Sequence, residues 1–262
     1  WKKLPDMNVE RTDLGVAVDG KLFAVGGYGD GSWLRDGECL DLKDVDAIWK
    51  KLPDMGTQRQ SLGVAVGDGK LFAVGGYNGN HLKSGEYLDL KNVEAGWKKI
   101  PDMSTERCNL GVAVGDGKLF AVGGWYDGSN YLKSGEYLDL KNVDAGWKKI
   151  PDMSTERCNL GVAVGDGKLF AVGGYNGNHL KSGEYLDLKD VDAGWKKLPD
   201  MNVERTDLGV AVDGKLFAVG GYGDGSWLRD GECLDLKDVD AIWKKLPDMG
   251  TQRQSLGVAV GD

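Results

Sequence analysis

Six phrases reading WKKLP or WKKIP run through the 262 residues, led by Trp1, Trp49, Trp97, Trp147, Trp195 and Trp243. The intervals between them are 48, 48, 50, 48 and 48 residues. A chain that repeats this closely solves one packing problem several times over, so the unit carries the fold. Residues 195–262 also reproduce residues 1–68 without a change, which sets a higher-order period of 194 residues, or four units.

Each unit is built from the same four short phrases. In the second unit they are WKKLPDM (49–55), SLGVAV (61–66), KLFAVGG (70–76) and GEYLDL (85–90). Asp68-Gly69 joins the middle two and is the dipeptide favoured in a type I′ hairpin turn. No segment carries apolar residues at helical spacing over three turns, so the chain reads as all-β with little or no helix. Four antiparallel strands in about 48 residues suit a propeller blade. In SLGVAV one face carries Leu62, Val64 and Val66 and the other Gly63 and Ala65, small residues that fit a crowded innermost strand. The double glycine Gly75-Gly76 marks close backbone approach or unusual dihedrals. Proline cannot donate to a ladder and lysine discourages edge pairing, so WKKLPDM is the exposed outer strand, with its tryptophan buried between blades.

The double glycine, Tyr87 eleven residues after Gly76, Trp97 ten further on, and the arginine after each PDM together resemble the Kelch motif. The likeness spans the whole chain; Cys39 and Cys233 depart from it by replacing the expected tyrosine in two units. It implies a single β-propeller over residues 1–262 whose tryptophan strand is the last and outermost of each blade. Blades are then expected at 8–55, 56–103, 104–153, 154–201 and 202–249, with residues 250–262 and 1–7 supplying the inner and outer strands of a partial blade. A ring whose termini share one blade is similar to the family's closure, and favours six-fold geometry with the last blade incomplete. A five-bladed ring is the alternative.

Charge and composition narrow the partners. A formal net charge of -8 with no basic stripe excludes nucleic acid as a ligand. Apolar runs such as LGVAV are too short to span a membrane. The four cysteines form no CxxC pair, which argues against zinc, and free thiols lean toward a reducing, cytoplasmic compartment.

Function in a propeller sits in its loops. The outer-to-inner connections (NVERTD, GTQRQS, STERCN) and those between second and third strands (YGDGSWLRDG, YNGNHLKSG, WYDGSNYLKSG) share one face. That face is expected to gather Arg11, Arg59, Arg107, Arg157, Arg205 and Arg253, with Tyr28, Trp33, Tyr77, His81, Trp125, Tyr126, Tyr131 and Trp227. Arginine and aromatic residues dominate binding hot spots, and the Kelch likeness implies a protein or peptide ligand there. The alternative reading of the arginines is a structural hydrogen bond repeated in every blade. No catalytic constellation, metal site or cofactor motif is expected. His81 and His179 lie in identical loops, as duplication alone would produce, and the glutamates that begin each third strand (Glu38, Glu86, Glu136, Glu184, Glu232) read as structural. The chain is therefore expected to be a non-catalytic interaction scaffold, with self-association through the incomplete blade as the rival role.

Overall fold

A computed structural model describes residues 3–44, 46–128, 130–238, 241–253, 255 and 258. Five four-stranded antiparallel sheets follow one another as propeller blades. Each runs from an inner strand outward, as in Gly63–Gly67, Lys70–Val74, Gly85–Asp89 and Trp97–Ile100 of the second blade. Asp68 and Gly69 both take positive φ, 51° and 69°, as the type I′ hairpin requires. The only helical pieces among the described residues are three single turns, Val93–Ala95, Val143–Ala145 and Val191–Ala193.

The described blades number five, the alternative of the two geometries expected from sequence; no sixth four-stranded sheet appears among the described residues. Nine of the twenty residues of the expected partial blade (Trp1, Lys2, 254, 256, 257 and 259–262) lie outside them. Two of its described residues tie its C-terminal part to the fifth blade. Ser255 N–H donates to Asp207 O at 2.9 Å, and Val258 lies against Gly209 of the fifth blade's inner strand.

Core lies between blades rather than within one sheet. Phe72, Val74, Ile100 and Met103 of blade two interlock with Leu110, Val112, Leu119 and Leu138 of blade three. Burying each such side chain contributes about 1.5–3 kcal/mol. The inner strands approach so closely that a methyl group on Gly111 would sit 2.6 Å from Val162 Cβ of the next blade, which is why glycine faces valine at each seam. On the rim, each tryptophan indole spans the seam behind it: Trp97 Nε1 donates to Pro53 O and Trp147 Nε1 to Pro101 O, both at 2.8 Å.

The double glycine makes the same kind of tie. Gly76 N–H donates to Arg107 O of the following blade at 2.8 Å, and Gly75, at φ 65°, leaves only 2.5 Å between a Cβ and that same oxygen. Any side chain there would force the seam open.

Candidate ligand-binding face

The two loop sets meet on one face, as their connectivity requires, and are zipped together by backbone bridges. Thr12 pairs with Tyr28, Gln60 with Tyr77, Cys108 with Trp125, Cys158 with Tyr175 and Thr206 with Tyr222. In three blades the outer loop closes into a small two-stranded ribbon, such as Trp125–Tyr126 with Asn130–Tyr131.

The repeated arginines do not reach the surface of this face. Arg59, Arg107, Arg157 and Arg205 are fully buried and Arg11 nearly so. Each guanidinium meets its blade's third-strand glutamate: Arg59–Glu86 at 3.1 Å, Arg107–Glu136 and Arg157–Glu184 at 3.2 Å, Arg11–Glu38 and Arg205–Glu232 at 3.0 Å. Burial draws the Arg107 pKa down, while the charge and hydrogen bond of Glu136 hold it up. Arg107 Nη1 also donates to Gly123 O and Ser134 O, at 2.8 and 2.9 Å, which fixes the double glycine. The glutamate's other oxygen accepts Ser104 N–H at 2.9 Å, and so holds the start of the outer-to-inner loop. The pairing of the arginine and glutamate series escaped sequence reading because about 27 residues separate the partners, Arg59 from Glu86 for example. Arg253, in the sixth position of the series, is exposed.

The aromatic residues behave differently. Trp33 meets Tyr77 edge-on, with centroids 6.0 Å apart; Tyr77 meets His81 at 5.2 Å, and His81 meets Trp125 at 4.9 Å. A second arc runs Tyr131–Tyr175 at 5.6 Å, then Tyr175–His179 and His179–Tyr222, each at 5.2 Å. Ribbon pairing joins the arcs, since Trp125 opposes Tyr131, and extends them, since Tyr28 opposes Trp33 and Tyr222 opposes Trp227. The result is one aromatic belt that crosses all five blades. Trp227, 54% exposed, and Tyr28, 39% exposed, stand furthest into solvent, with Tyr126 beside Trp125 also exposed. Trp125 is held by its own indole, which donates to Gly128 O at 2.8 Å. Sequence reading named Tyr28, Trp33, Tyr77, His81, Trp125, Tyr131 and Trp227, all of which the belt brings together. Tyr175 and Tyr222 are not among them, and His179 enters that reading only as a duplicate of His81, although Tyr175 and His179 stand in the same loop sequence as Tyr77 and His81.

Inside the belt lies a second feature, built from the residue two beyond each repeat arginine: Asp13, Ser61, Asn109, Asn159, Asp207 and Ser255. All take left-handed backbone, φ 50° to 56°, which small polar side chains tolerate best. Their backbones form a directional series about the axis, with Ser61 N–H on Asp13 O, Asn109 on Ser61, Asn159 on Asn109, Asp207 on Asn159 and Ser255 on Asp207, at 2.8–2.9 Å. Together with leucines 14, 62, 110, 160 and 208 they line a cavity of about 140 Å³. Asn159 Nδ2 donates to Asp207 Oδ1. Burial pushes the Asp13 carboxyl up; it does the same to Asp207, where the charge of Asp13 adds to it while Asn159 and His179 oppose. The sequence signal was a polar residue at the mouth of every apolar inner strand.

Beneath the belt, Cys108 and Cys158 are buried, and burial pushes both thiols up to about 12. Among the described residues no group of three or more His, Cys, Asp or Glu is placed to hold a metal ion, and no helix is long and apolar enough to cross a membrane.

No curated protein matches the chain. Among solved structures, one titled "Structure of YjhT" is similar, with a TM-score of 0.80 at 15% identity, covering 98% of this chain and 89% of that one, a likeness in fold. The Kelch motif model matches residues 15–56, 58–104, 106–154, 156–202 and 209–250, once for each blade described above. With that motif accounting for most of its length and all of its repeats, the chain belongs to the Kelch-motif family.

Proposed function

We propose that the chain is a non-catalytic interaction module that binds an extended segment of a partner protein across the loop face. Kelch propellers are commonly protein-interaction scaffolds. The observation that carries the reading is the belt from Tyr28 to Trp227, whose ring contacts hold flat apolar surfaces in place around a cavity. Rings fixed by their neighbours lose little entropy on binding, which is what makes aromatic side chains effective anchors. Five near-identical blades provide near-identical environments, whereas acid–base catalysis wants groups whose environments differ. Self-association by strand pairing would draw on the partial blade, nine of whose twenty residues lie outside the described ones.

Selection from a randomised peptide library displayed against the intact chain tests the proposal. Recovered peptides are expected to lose at least about ten-fold in affinity on Trp125→Ala, as a hot-spot ring would dictate. Ile48→Ser, exposed on the opposite side of the blade, is expected to leave binding unchanged. Absence of any selected peptide, or equal binding to Trp125→Ala with its fold intact by circular dichroism, refutes the reading.

A further inference from the structure

We propose that the partner segment presents a lysine or arginine side chain to the axial cavity, between Asp13 and Asp207. This deepens, and rests on, the reading of the loop face as a peptide-binding surface. Three observations identify the occupant.

The first is charge. Of the side chains that line the cavity, two are carboxylates, four are hydroxyls or amides, the rest are leucines and none is basic. Five of the six repeat arginines (Arg11, Arg59, Arg107, Arg157 and Arg205) are turned into the blades and neutralised by glutamates, with side chains 0% exposed; Arg253 is exposed but does not line the cavity. Exposed Glu10, Glu106 and Glu156 occupy the same turns, three residues before the axial positions, so the approach is acidic as well. The basic residues of the outer loops, Arg35, Lys83, Lys133, Lys181 and Arg229, do not line the cavity, so an anionic side chain entering it would meet two carboxylates and no cationic partner.

The second is capacity. A cavity of about 140 Å³ exceeds the ~30 Å³ share of one water several times over and takes the head of one long side chain. Its polar rim supplies acceptors on several sides: two carboxylates, the amide oxygens of Asn109 and Asn159, and the hydroxyls of Ser61 and Ser255. A donor-rich cation can use all of these, whereas an apolar side chain would displace water from the carboxylates and offer them no donor in its place.

The third is the surround. Aromatic faces attract lysine and arginine at centroid distances within about 6 Å, with guanidinium the commoner partner. The belt runs from blade one to blade five beside the axial cavity, so a basic segment finds this attraction on the way in, while its apolar neighbours find ring surface.

Asn already occupies the axial position in blades three and four, at φ 51° and 52°, so Asp13→Asn and Asp207→Asn place an accepted residue in an accepted backbone. Peptides selected on the intact wild-type chain are therefore expected to be enriched in Lys or Arg. They are also expected to bind the Asp13→Asn/Asp207→Asn double variant at least about ten-fold more weakly, with wild-type affinity falling as salt is raised. Selected peptides that lack basic residues, or that bind the double variant as tightly as the wild type, overturn this inference and leave the peptide-binding reading standing. Failure to select any peptide overturns both.

Discussion

Arg107 Nη2 lies 3.2 Å from Glu136 Oε1, with the two side chains 0% and 2% exposed, and the arrangement recurs in every described blade. A buried ion pair of this kind contributes little net stability against an apolar replacement, because both charges are desolvated, but removing one partner strands the other. Arg107→Met is expected to destabilise the fold by about 3–5 kcal/mol in urea denaturation. Adding Glu136→Leu recovers part of that loss and not all of it, since Ser104 N–H then loses its acceptor. A double variant no more stable than Arg107→Met alone would show that the glutamate is not the stranded charge.

The inner seam makes a simpler prediction. A methyl on Gly111 falls 2.6 Å from Val162 Cβ, an atom tied directly to its backbone and unable to swing away. Gly111→Ala is expected to cost about 1–3 kcal/mol through overpacking, and Val162→Ala in the same chain to return only part of it, since it removes the Cγ2 that the methyl would meet first but keeps the Cβ. Thermal unfolding of the two variants reads both effects. Independent, additive losses would contradict the packing argument.

Cys39 shows what the departures from the repeat leave behind. In blades two, three and four a tyrosine packs on the adjacent strand's phenylalanine, as Tyr87 does on Phe72 with centroids 6.2 Å apart. In blade one Cys39 pairs with Phe23, and a cavity of about 210 Å³ opens beside it, bounded by Leu52 of its own blade and Leu90 and Val93 of the next. Cys39→Tyr fills that space and is expected to stabilise the fold by about 0.5–2 kcal/mol, seen as a raised Tm. No gain would mean that the tyrosine cannot reach the position its counterparts hold.

Proton linkage at the axis follows from Asp13 and Asp207. Burial raises both above the ordinary 3.8, so the folded state binds these protons more tightly than the unfolded chain does. Their contribution is most favourable at pH below 3.8 and is lost as pH rises through the raised folded-state values, leaving the full penalty at neutral pH. The Asp13→Asn/Asp207→Asn double variant is therefore expected to have a higher Tm than the wild type at neutral pH, with the difference shrinking on acidification toward 3.8. A difference that is constant with pH would rule out the carboxylates as its source.

The repeat, the strand order and the sharing of one face by two loop sets were all legible in the sequence, because each depends on residues close together in the chain. Crowding at the inner strand could be anticipated from the small residues of SLGVAV, but not that a valine of the next blade is what crowds them. The fate of the arginines could not be decided, since whether a guanidinium points outward or inward depends on a glutamate in another strand. The belt was half visible for a related reason. Its rings were plain in the loops, but their contacts join blades whose loops lie roughly 50 residues apart, as Trp33 and Tyr77 do at 44. Axial Asp13, Ser61 and Asn109 look like ordinary turn residues until curvature of the whole array brings them to one axis.

Arg59 belongs to two blades at once. Its carbonyl oxygen accepts Gly27 N–H and its own N–H donates to Leu34 O, both in blade one, while its guanidinium is clamped inside blade two. Repeat arrays in which each unit touches only its neighbour through side chains can fray from an end, unit by unit. Here the boundary of the cooperative element falls in the middle of a residue: a chain pulled from its ends would yield not at a sheet but at the arginine shared between two.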